Sequence, residues 1–441
     1  MTILSELESA GFEAYIVGGF VRDNLLGLEP DDCDIATSAR PEQTLEVFSN
    51  YSCFSTGIKH GTVTVIIADK PFEITTFRTD SSYTDGRHPD AVRFTDSIAG
   101  DLLRRDLTIN ALAFNPKTGI IDISGGIPDI ANGVVRAVGE PELRFSEDGL
   151  RILRALRFAS VYGFKIEKNT ANAARECVCM LDLLSAERIY SELKKLLCGK
   201  NAEEVLLTYK EIISHVIPEL KPCINFDQHN PHHIYDVYTH TAKTVSGVPA
   251  EPTLRLAALF HDIGKPPTFT LSDGTGHFYG HSEESMRIAE NILDRLKSDK
   301  RTKNDVLTLI KYHDPVIQAD EKSVRRYLNR LGGDMLRKLL LLKRADNLAQ
   351  SPDCALRLAD YEKILEIIKE IEMKAECISL RQLKINGNDL ISLGIPRGKN
   401  IGVILSALLD MVISGEIENH PDILIAEALK YIENQNKPDT R

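Results

Sequence analysis

A short stretch near the start of the chain decides the fold: YIVGGFVRD at residues 15–23, followed by DDCDIAT at residues 31–37. The apolar run from Ala14 to Val17 predicts a short buried strand. The two glycines after it let the backbone approach a ligand, and a helix is expected to begin near Phe20. Because backbone amides at a helix start bind phosphate, this order predicts a turn that holds a phosphate group.

Two aspartates that follow, Asp32 and Asp34, are two residues apart. On a strand both carboxylates point to one face, where they repel each other unless a cation joins them. A phosphate-binding turn beside such a pair is suited to Mg²⁺-dependent nucleotidyl transfer. Either half alone is explained equally well by a glycine turn or by a solvated acidic loop.

The composition is that of an ordinary soluble protein. The chain has 441 residues, 43% hydrophobic and 27% charged, enough for about two to four domains. It contains no run long enough for a membrane span and no basic-then-apolar leader, so we expect a cytoplasmic protein without a membrane partner. The eight cysteines are interpreted as small core residues. Because the net charge is −11, an RNA-binding role would need local basic faces.

The secondary-structure pattern changes along the chain. Residues 62–67 (TVTVII) and 72–77 (FEITTF) have the composition of strands, whereas helical periodicity dominates from about residue 141. We therefore predict an α+β fold, in which a small mixed-sheet head with helices precedes a mostly α-helical body.

Other polar residues of the head could join the phosphate site. Glu73, on a predicted strand, could be a third metal-site carboxylate, although a surface position explains it equally well. Arg104 and Arg105 stand before a predicted apolar helix, and their fork geometry suits phosphate oxygens. Asn110 could contact a ribose hydroxyl.

Five motifs follow one another in the first half of the chain: GGFVRD, DDCD, PFEITTFR, RRDLTINALAF and SEDGLRILRALRF. From about residue 14 to about residue 200 they resemble the class II tRNA nucleotidyltransferases and bacterial poly(A) polymerases of the polymerase β superfamily. The tail segment 383–402 is also similar to this family. The resemblance implies a polymerase β-like head that adds C, C and A to tRNA 3′ ends from CTP and ATP without a nucleic-acid template.

The same resemblance implies roles for individual residues. Asp32 and Asp34 would be the catalytic Mg²⁺ ligands. The residues expected to bind the nucleotide are Gly18, Gly19, Arg22, Arg104, Arg105, Asn110, Asp148, Arg151 and Arg154. Residues 79–94 are similar to the family's flexible loop, which is needed for switching to the final A.

The motif at residues 147–151, EDGLR, offers a physical basis for choosing C and A. On a helix Asp148 and Arg151 are three apart and share a face. Aspartate accepts and arginine donates hydrogen bonds, which matches the amino group and ring nitrogen of both cytosine and adenine. Uracil and guanine reverse that pattern, and each unpaired group would cost about 1–3 kcal/mol. From spacing alone an ordinary intrahelical ion pair is favoured; the resemblance favours the template role.

A second set of possible metal ligands lies in the later half of the chain: His240, His261, Asp262 and Asp346. Imidazoles and carboxylates of this kind suit a divalent cation, whose identity the sequence does not give. The pattern resembles the HD phosphohydrolase superfamily, which implies these four ligands, with His281 and His313 as second-metal or substrate contacts. Some nucleotidyltransferases of the family carry such a domain with phosphatase, 2′-nucleotidase and 2′,3′-cyclic phosphodiesterase activity, which could repair tRNA ends.

The predicted organisation has four parts: a nucleotidyltransferase head at 1–140, a helical neck with the base-recognition motif at 141–228, an HD domain at 229–350 and a helical, tRNA-binding tail at 351–441. Two other functions compete with CCA addition. One is a poly(A) polymerase or an enzyme that adds only the A. The other is an HD phosphohydrolase whose head serves to bind tRNA. The sequence gives no oligomeric state.

Overall fold

The computed structural model describes residues 2–30, 32–55, 57–58, 61–80, 92–373 and 379–435. Two compact units make up the chain. The first consists of Met1–Pro222, Ala250–Leu256 and Glu290–Lys300, and the second of Cys223–Pro249, Ala257–Ala289 and Arg301–Arg441. Residues 81–91 of the predicted flexible loop lie outside the described residues.

The first unit contains several β-strands, most of which form a mixed sheet. Its strands are β1 (Ala14–Val17), β2 (Asp34–Thr37), β3 (Ser52–Phe54), β4 (Thr62–Ile67), β5 (Lys70–Thr76), β6 (Arg78–Asp80), β7 (Val92–Phe94), β8 (Leu112–Asn115), β9 (Gly119–Asp122), β10 (Val134–Val135) and β11 (Lys165–Ile166). Within the described residues, seven of them form one sheet in the order β3-β4-β5-β2-β1-β8-β9. β2 and β5 are parallel, and the other neighbouring pairs in this sheet are antiparallel.

Helices of this unit pack on both faces of the sheet, and further helices follow the sheet along the chain. They are α1 (Thr2–Ser9), α2 (Gly19–Leu25), α3 (Pro41–Val47), α4 (Ile98–Leu103), α5 (Gly126–Asn132), α6 (Pro141–Glu147), α7 (Leu150–Tyr162), α8 (Lys168–Glu176), α9 (Ala186–Leu197), α10 (Ala202–Thr208) and α11 (Lys210–Val216). Leu7 of α1 packs with Ile35 and Val63 on one face of the sheet. Leu102 of α4 packs with Val17 and Ala36 on the other face.

Strand register places the glycine turn beside the aspartates. Val17, the last residue of β1, is paired with Asp34, the first residue of β2. Gly18 follows Val17 directly, and α2 begins at Gly19. The end of β1 and the start of β2 therefore lie side by side, at the same end of these two neighbouring strands.

In the later part of the chain, the described residues form helices and one β-hairpin. Its helices are α12 (Val237–Gly247), α13 (Pro252–Phe260), α14 (Lys265–Thr268), α15 (His281–Arg295), α16 (Lys300–His313), α17 (Glu321–Leu331), α18 (Gly333–Leu348), α19 (Leu358–Met373), α20 (Gly387–Ser392), α21 (Lys399–Ile413) and α22 (Pro421–Gln435). The hairpin pairs β12 (Thr270–Ser272) with β13 (Thr275–His277). No helix within the described ranges is long and apolar enough to cross a membrane.

The α+β prediction, with a mixed-sheet head followed by a mostly helical body, is confirmed. The predicted strands at 14–17 and 62–67 have the bounds of β1 and β4. The apolar helix predicted after Arg105 is wrong, because Thr108–Asn110 form one 3-10 turn and the next residues form β8. These apolar residues form a strand because they pair with β1: Phe114 pairs with Ile16.

Candidate functional site

One cavity of about 990 Å³ in the first unit, here called the head cleft, brings together all the predicted nucleotide-site residues. Its lining includes Gly18, Gly19, Arg22, Asp32, Asp34, Arg104, Arg105, Asn110, Asp148, Arg151 and Arg154. Glu73 of β5 also lines it. Carboxylates near the ends of these strands thus share a cavity with several guanidinium groups.

The acidic part of the head cleft lies at the start of β2. Asp34 is the first residue of that strand, whereas Asp32 precedes it, so the expectation that both lie on a strand holds only for Asp34. Both side chains are exposed. Desolvation raises the pKa of Asp34, Arg105 lowers it, and the charge of Asp32 raises it further, with a net upward shift. A cation between the two carboxylates would relieve that repulsion.

The glycine turn is shaped for close approach. Gly18 has φ of +70°, which a residue with a side chain adopts only at a cost. A Cβ at Gly18 would also lie 3.0 Å from Nη1 of Arg105. The backbone conformation therefore favours glycine at position 18, and the guanidinium of Arg105 lies close beside it.

Arg22 is held in place from several sides. Its Nε and Nη2 donate to the carboxylate of Asp23 at 2.9 and 3.0 Å. Its guanidinium lies 4.9 Å from the ring centroid of Phe158 and 4.8 Å from that of Tyr162. Nη1 donates to Oδ1 of Asn110. Asn110 is buried and thus positions Arg22, which the prediction of a ribose contact had not anticipated.

Arg104 and Arg105 share one buried carboxylate. Both donate to Asp101, Nη2 of Arg104 at 2.6 Å and Nη2 of Arg105 at 3.1 Å. Burial disfavours the charged form of Asp101, but the two guanidinium groups outweigh it and hold its pKa below the usual value. One anion therefore orients two cations toward the cleft.

A second buried carboxylate, Asp106, fixes Arg154. Nε of Arg154 donates to Oδ2 of Asp106 at 2.6 Å, and Nδ2 of Asn110 donates to Oδ1 at 3.1 Å. Burial opposes ionisation of Asp106, but Arg154 and Asn110 prevail and hold its pKa well below the usual value. The same ion pair raises the pKa of Arg154.

Asp148 and Arg151 line the same cleft, but they are not the intrahelical pair that the spacing predicted. Asp148 has extended backbone at the end of α6, and α7 begins only at Leu150. Its Oδ1 accepts from the amide of Leu150 at 3.0 Å, and its Oδ2 accepts from Nη2 of Arg188 at 2.7 Å. Arg151 instead pairs with Glu147 and donates to the carbonyl of Arg104.

Arg188 is the cleft residue that sequence reasoning missed. It lies on α9, forty positions from its partner Asp148, and it lines the head cleft. No local spacing rule connects residues so far apart. Gly149, between the two helices, packs closely on another part of the chain: a Cβ there would lie 2.5 Å from the carbonyl oxygen of Met180.

The second unit holds six clustered ligands, here called the histidine cluster. They form two triads: His240, His261 and Asp346, and Asp262, His281 and His313. Within each triad one ligand atom from each residue lies within 4.8 Å of the others. The structure thus joins His281 and His313 to the four predicted ligands.

Asp262 lies between the two pairs of histidines. Its Oδ2 is 3.3 Å from Nε2 of His240 and 3.2 Å from Nε2 of His261. Its Oδ1 is 3.5 Å from Nε2 of His281 and 3.6 Å from Nε2 of His313. One carboxylate oxygen therefore faces each pair of histidines, so Asp262 could contribute a ligand atom on either side.

The four imidazoles present the same nitrogen to the cluster. Each has Nδ1 within 3.1 Å of a backbone carbonyl, those of Ala349, Ala258, Phe278 and Ile310. Because a carbonyl only accepts hydrogen bonds, each Nδ1 carries the proton. Such carbonyl contacts are the usual outer support of metal-binding histidines. Four Nε2 atoms and two carboxylates fit divalent cations in this place.

Acidic neighbours control the protonation of His240. Burial disfavours the imidazolium, but hydrogen bonds with Asp262 and Asp346 raise the pKa of His240 to about 9. Lys265 adds a second positive charge, with Nζ 2.7 Å from Oδ2 of Asp262. Buried Asp262 and half-buried Asp346 thus attract positive charge.

Gly264 sets the spacing within the cluster. It follows the His261-Asp262 pair and packs against the first turn of α15, which carries His281. A Cβ at Gly264 would lie 2.6 Å from the carbonyl oxygen of His281 and 2.5 Å from the amide of Ser285. The Gly264 amide also donates to Oγ of Ser285 at 2.9 Å.

Three family models match the chain. Their descriptions are a Poly A polymerase head domain over residues 14–136, an RNA and SrmB-binding site of polymerase A over 163–224, and a tRNA nucleotidyltransferase domain 2 over 281–428.

Full-length relatives share a single name. The CCA-adding enzyme of Ligilactobacillus salivarius is 34% identical over 444 residues, covering 99% of this chain and 96% of the relative. A crystal structure of the Bacillus stearothermophilus CCA-adding enzyme in complex with CTP matches with a TM-score of 0.77 and 27% identity, over 98% of this chain and 97% of that one. The Thermotoga maritima CCA-adding enzyme complexed with tRNA matches in fold, with a TM-score of 0.58 and 22% identity, over 98% and 94% of the two chains.

Proposed function

The chain belongs to the CCA-adding enzyme family and is a nucleotidyltransferase, and from that premise we propose that it adds C, C and A to tRNA 3′ ends from CTP and ATP. The observation that carries the proposal is the head cleft, where exposed Asp32 and Asp34 share a cavity with Arg22, Arg104 and Arg105. This arrangement supports transfer of a nucleotide onto an RNA hydroxyl. The CTP and tRNA complexes of the relatives support these substrates.

Asp32 and Asp34 would hold Mg²⁺, with Glu73 close enough to share the cavity. Mg²⁺ there supplies charge neutralisation at the phosphates and makes the acceptor hydroxyl more acidic. The 3′ oxygen of the RNA bonds to the α-phosphorus, and pyrophosphate leaves. Arg22, Arg104 and Arg105, held by their buried carboxylate and amide partners, would bind the negative charge of the triphosphate.

Asp148 would select the base. Its carboxylate accepts hydrogen bonds, as a cytosine or adenine amino group requires, and Arg151 or Arg188 can donate to the ring nitrogen. The carboxylate is oriented by the Leu150 amide and by Arg188, so it meets the base with little reorganisation. A poly(A) polymerase or an enzyme adding only the A would use the same cleft. Full-length similarity to CCA-adding enzymes favours complete addition.

Defined acceptors test this proposal. The protein is incubated with tRNA that lacks one, two or three terminal nucleotides and with labelled CTP, ATP, UTP or GTP. We expect each acceptor to be extended to a single CCA end and no incorporation of U or G. A long A tract, or extension only of the acceptor lacking the terminal A, would contradict the proposal.

The histidine cluster favours a second activity, hydrolysis of a phosphate ester. The specific observation is the position of Asp262, with one oxygen toward each pair of histidines. Divalent cations held by the two triads would supply Lewis acidity toward phosphate oxygens and make a water molecule acidic. Lys265, buried beside Asp262, would add positive charge near the leaving or attacking oxygen.

Hydrolysis of a nucleoside 2′,3′-cyclic phosphate tests the second activity. We expect turnover that requires a divalent cation, stops on chelation and is lost in His261→Ala. Turnover that survives both chelation and His261→Ala would contradict a role for the cluster. The Asp34→Ala variant serves as the control, because its substitution lies in the first unit.

A further inference from the structure

A pair of aromatic rings, one half-buried and one exposed, lies at the cavity that contains the histidine cluster. The cavity has a volume of about 580 Å³, and its lining includes Asp262, His281 and His313 together with His277 and Tyr279. Tyr279 is 77% exposed. A lone exposed tyrosine is ordinary on a protein surface, so exposure alone does not mark a binding site.

The pair is stacked and anchored. The rings of His277 and Tyr279 have centroids 5.3 Å apart and an interplanar angle of 8°. His277 is the last residue of the β12–β13 hairpin, paired with Thr270. With centroids 5.3 Å apart the two parallel rings overlap only in part, and most of the Tyr279 side chain is exposed and open to a ligand.

The same segment also supports a ligand of the cluster. The residue between the two rings, Phe278, packs against Phe269 with centroids 5.6 Å apart, and its carbonyl accepts from Nδ1 of His281. Tyr279 is two residues before His281. The position of the aromatic pair is thus fixed relative to the phosphate-handling groups.

Cationic groups line other parts of the cavity, together with the carboxylates Asp314 and Asp360. Lys343 is buried, and its Nζ donates to the carbonyls of His313 and Pro315. Arg357 and His232 line the cavity as well. A ligand with an anionic end at the cluster and a flat ring at Tyr279 fits this distribution, and the volume is within the range of small-molecule sites.

We propose that His277 and Tyr279 form a stacking platform for the base of a nucleotide whose phosphate is bound at the histidine cluster. The inference rests on the proposed phosphohydrolase function and adds the residues that would hold the base of its substrate, whether the nucleotide is free or at the end of an RNA. Stacking is tolerant of base identity because every base has a π-face, so the platform selects nucleotides over base-free phosphates.

Fluorescence tests binding without turnover. The chain contains no tryptophan, so Tyr279→Trp places its single indole in the platform. We expect saturable quenching by adenosine 3′-monophosphate and none by ribose 5-phosphate or inorganic phosphate at equal concentration. Met373→Trp, at a position 81% exposed on α19 and outside the lining, is the matched control and should show no quenching. Equal quenching by base-free phosphates, or none by the nucleotide, overturns the platform.

Turnover tests the consequence. Tyr279→Ala should raise KM for adenosine 2′,3′-cyclic phosphate about tenfold or more, the range expected for loss of one stacked base. It should leave hydrolysis of glycerol 1,2-cyclic phosphate unchanged, and Tyr279→Phe should behave as wild type. Equal losses on both substrates overturn the platform. If wild type hydrolyses neither substrate, the hydrolase proposal fails, and the fluorescence titration still decides the platform. An RNA ending in a cyclic phosphate, compared with the mononucleotide, distinguishes the two sources of the nucleotide.

Discussion

In the head cleft, Asp32 and Asp34 stand exposed at the end of one strand, whereas five of the six ligands of the histidine cluster are buried and the sixth is half-buried. In the head cleft only Asp32 and Asp34, with Glu73 as a third, are candidate metal ligands, so a nucleotide would have to supply further oxygens to a metal bound there. The histidine cluster supplies six donor groups from the chain itself. The two sites therefore differ in how many donor groups the chain itself offers to a metal.

The largest expected effect separates the two sites. Asp34→Ala should lower nucleotide addition by about three orders of magnitude, because a metal supplies several kcal/mol of charge stabilisation. Phosphodiester hydrolysis should be unaffected. His261→Ala should show the opposite pattern. Labelled CTP incorporation and cyclic phosphate hydrolysis are measured on both variants, and loss of both activities in either variant would break the comparison.

Metal retention tests the difference between the two sites more directly. After gel filtration in metal-free buffer, we expect divalent metal to stay with the protein, bound at the histidine cluster. His240→Ala should weaken that binding by about 100-fold or more. Asp34→Asn should leave the retained metal unchanged. Elemental analysis measures both, and equal metal content in wild type and His240→Ala would contradict the assignment.

The affinity of the histidine cluster for metal should also depend on pH. Because acidic neighbours raise the pKa of His240 to about 9, a proton occupies this imidazole at neutral pH when no metal is bound. Metal binding then releases a proton, so affinity should rise from pH 6 toward pH 9. A titration monitored by calorimetry in buffers of different ionisation enthalpy measures the proton released, and pH-independent affinity would contradict this account.

Nucleotide selection in the head cleft should respond less strongly. Asp148→Ala should reduce the preference for CTP over UTP by about 10- to 100-fold, since the unpaired groups cost about 1–3 kcal/mol each. Arg188→Gln should reduce the same preference by a smaller factor, because it frees the carboxylate without removing it. Single-nucleotide kcat/KM ratios measure this. Arg175→Gln, an exposed arginine of α8 outside the cleft, is the control, and a similar loss there would contradict the role of Arg188.

The smallest expected effect concerns stability. The pKa of Asp106 is held below its usual value near 3.9, so its ion pair with Arg154 stabilises the fold fully above about pH 5 and less as the pH falls further. Asp106→Asn should lower the free energy of unfolding by about 1–3 kcal/mol at pH 7 and lose less on acidification. Urea unfolding between pH 3.5 and 7 measures this, and parallel curves for the two proteins would contradict it.

Local sequence signals predicted the local parts of the fold. The apolar runs before Gly18 and at 62–67 became strands because they are short, β-rich and bounded by turn residues. The prediction of a helix after Arg105 is wrong because a short apolar segment can form either a helix or a strand. Pairing with β1 makes this segment a strand.

Most of the residues that meet in the head cleft and in the histidine cluster could be named from the sequence, but Arg188 and most of the pairings between residues could not. Asp148 pairs with Arg188 and Arg104 with Asp101, and only the first of these partners is distant in sequence. In the histidine cluster, ligands from four helices and one turn meet through tertiary packing. Spacing rules describe one helix or strand, so the central position of Asp262 between two histidine pairs had no signal in the chain.

The contact at Gly264 has a consequence for how this sequence can change. The backbone of Gly264 touches the start of α15, so the distance between the His261-Asp262 turn and His281 is set by main chain against main chain. Side-chain rotamers cannot absorb an added methyl group there. Any descendant of this sequence that acquires a larger residue at 264 must shift α15, and with it His281, relative to Asp262. Such a lineage would alter the geometry of the cluster while every one of its six side chains stayed the same.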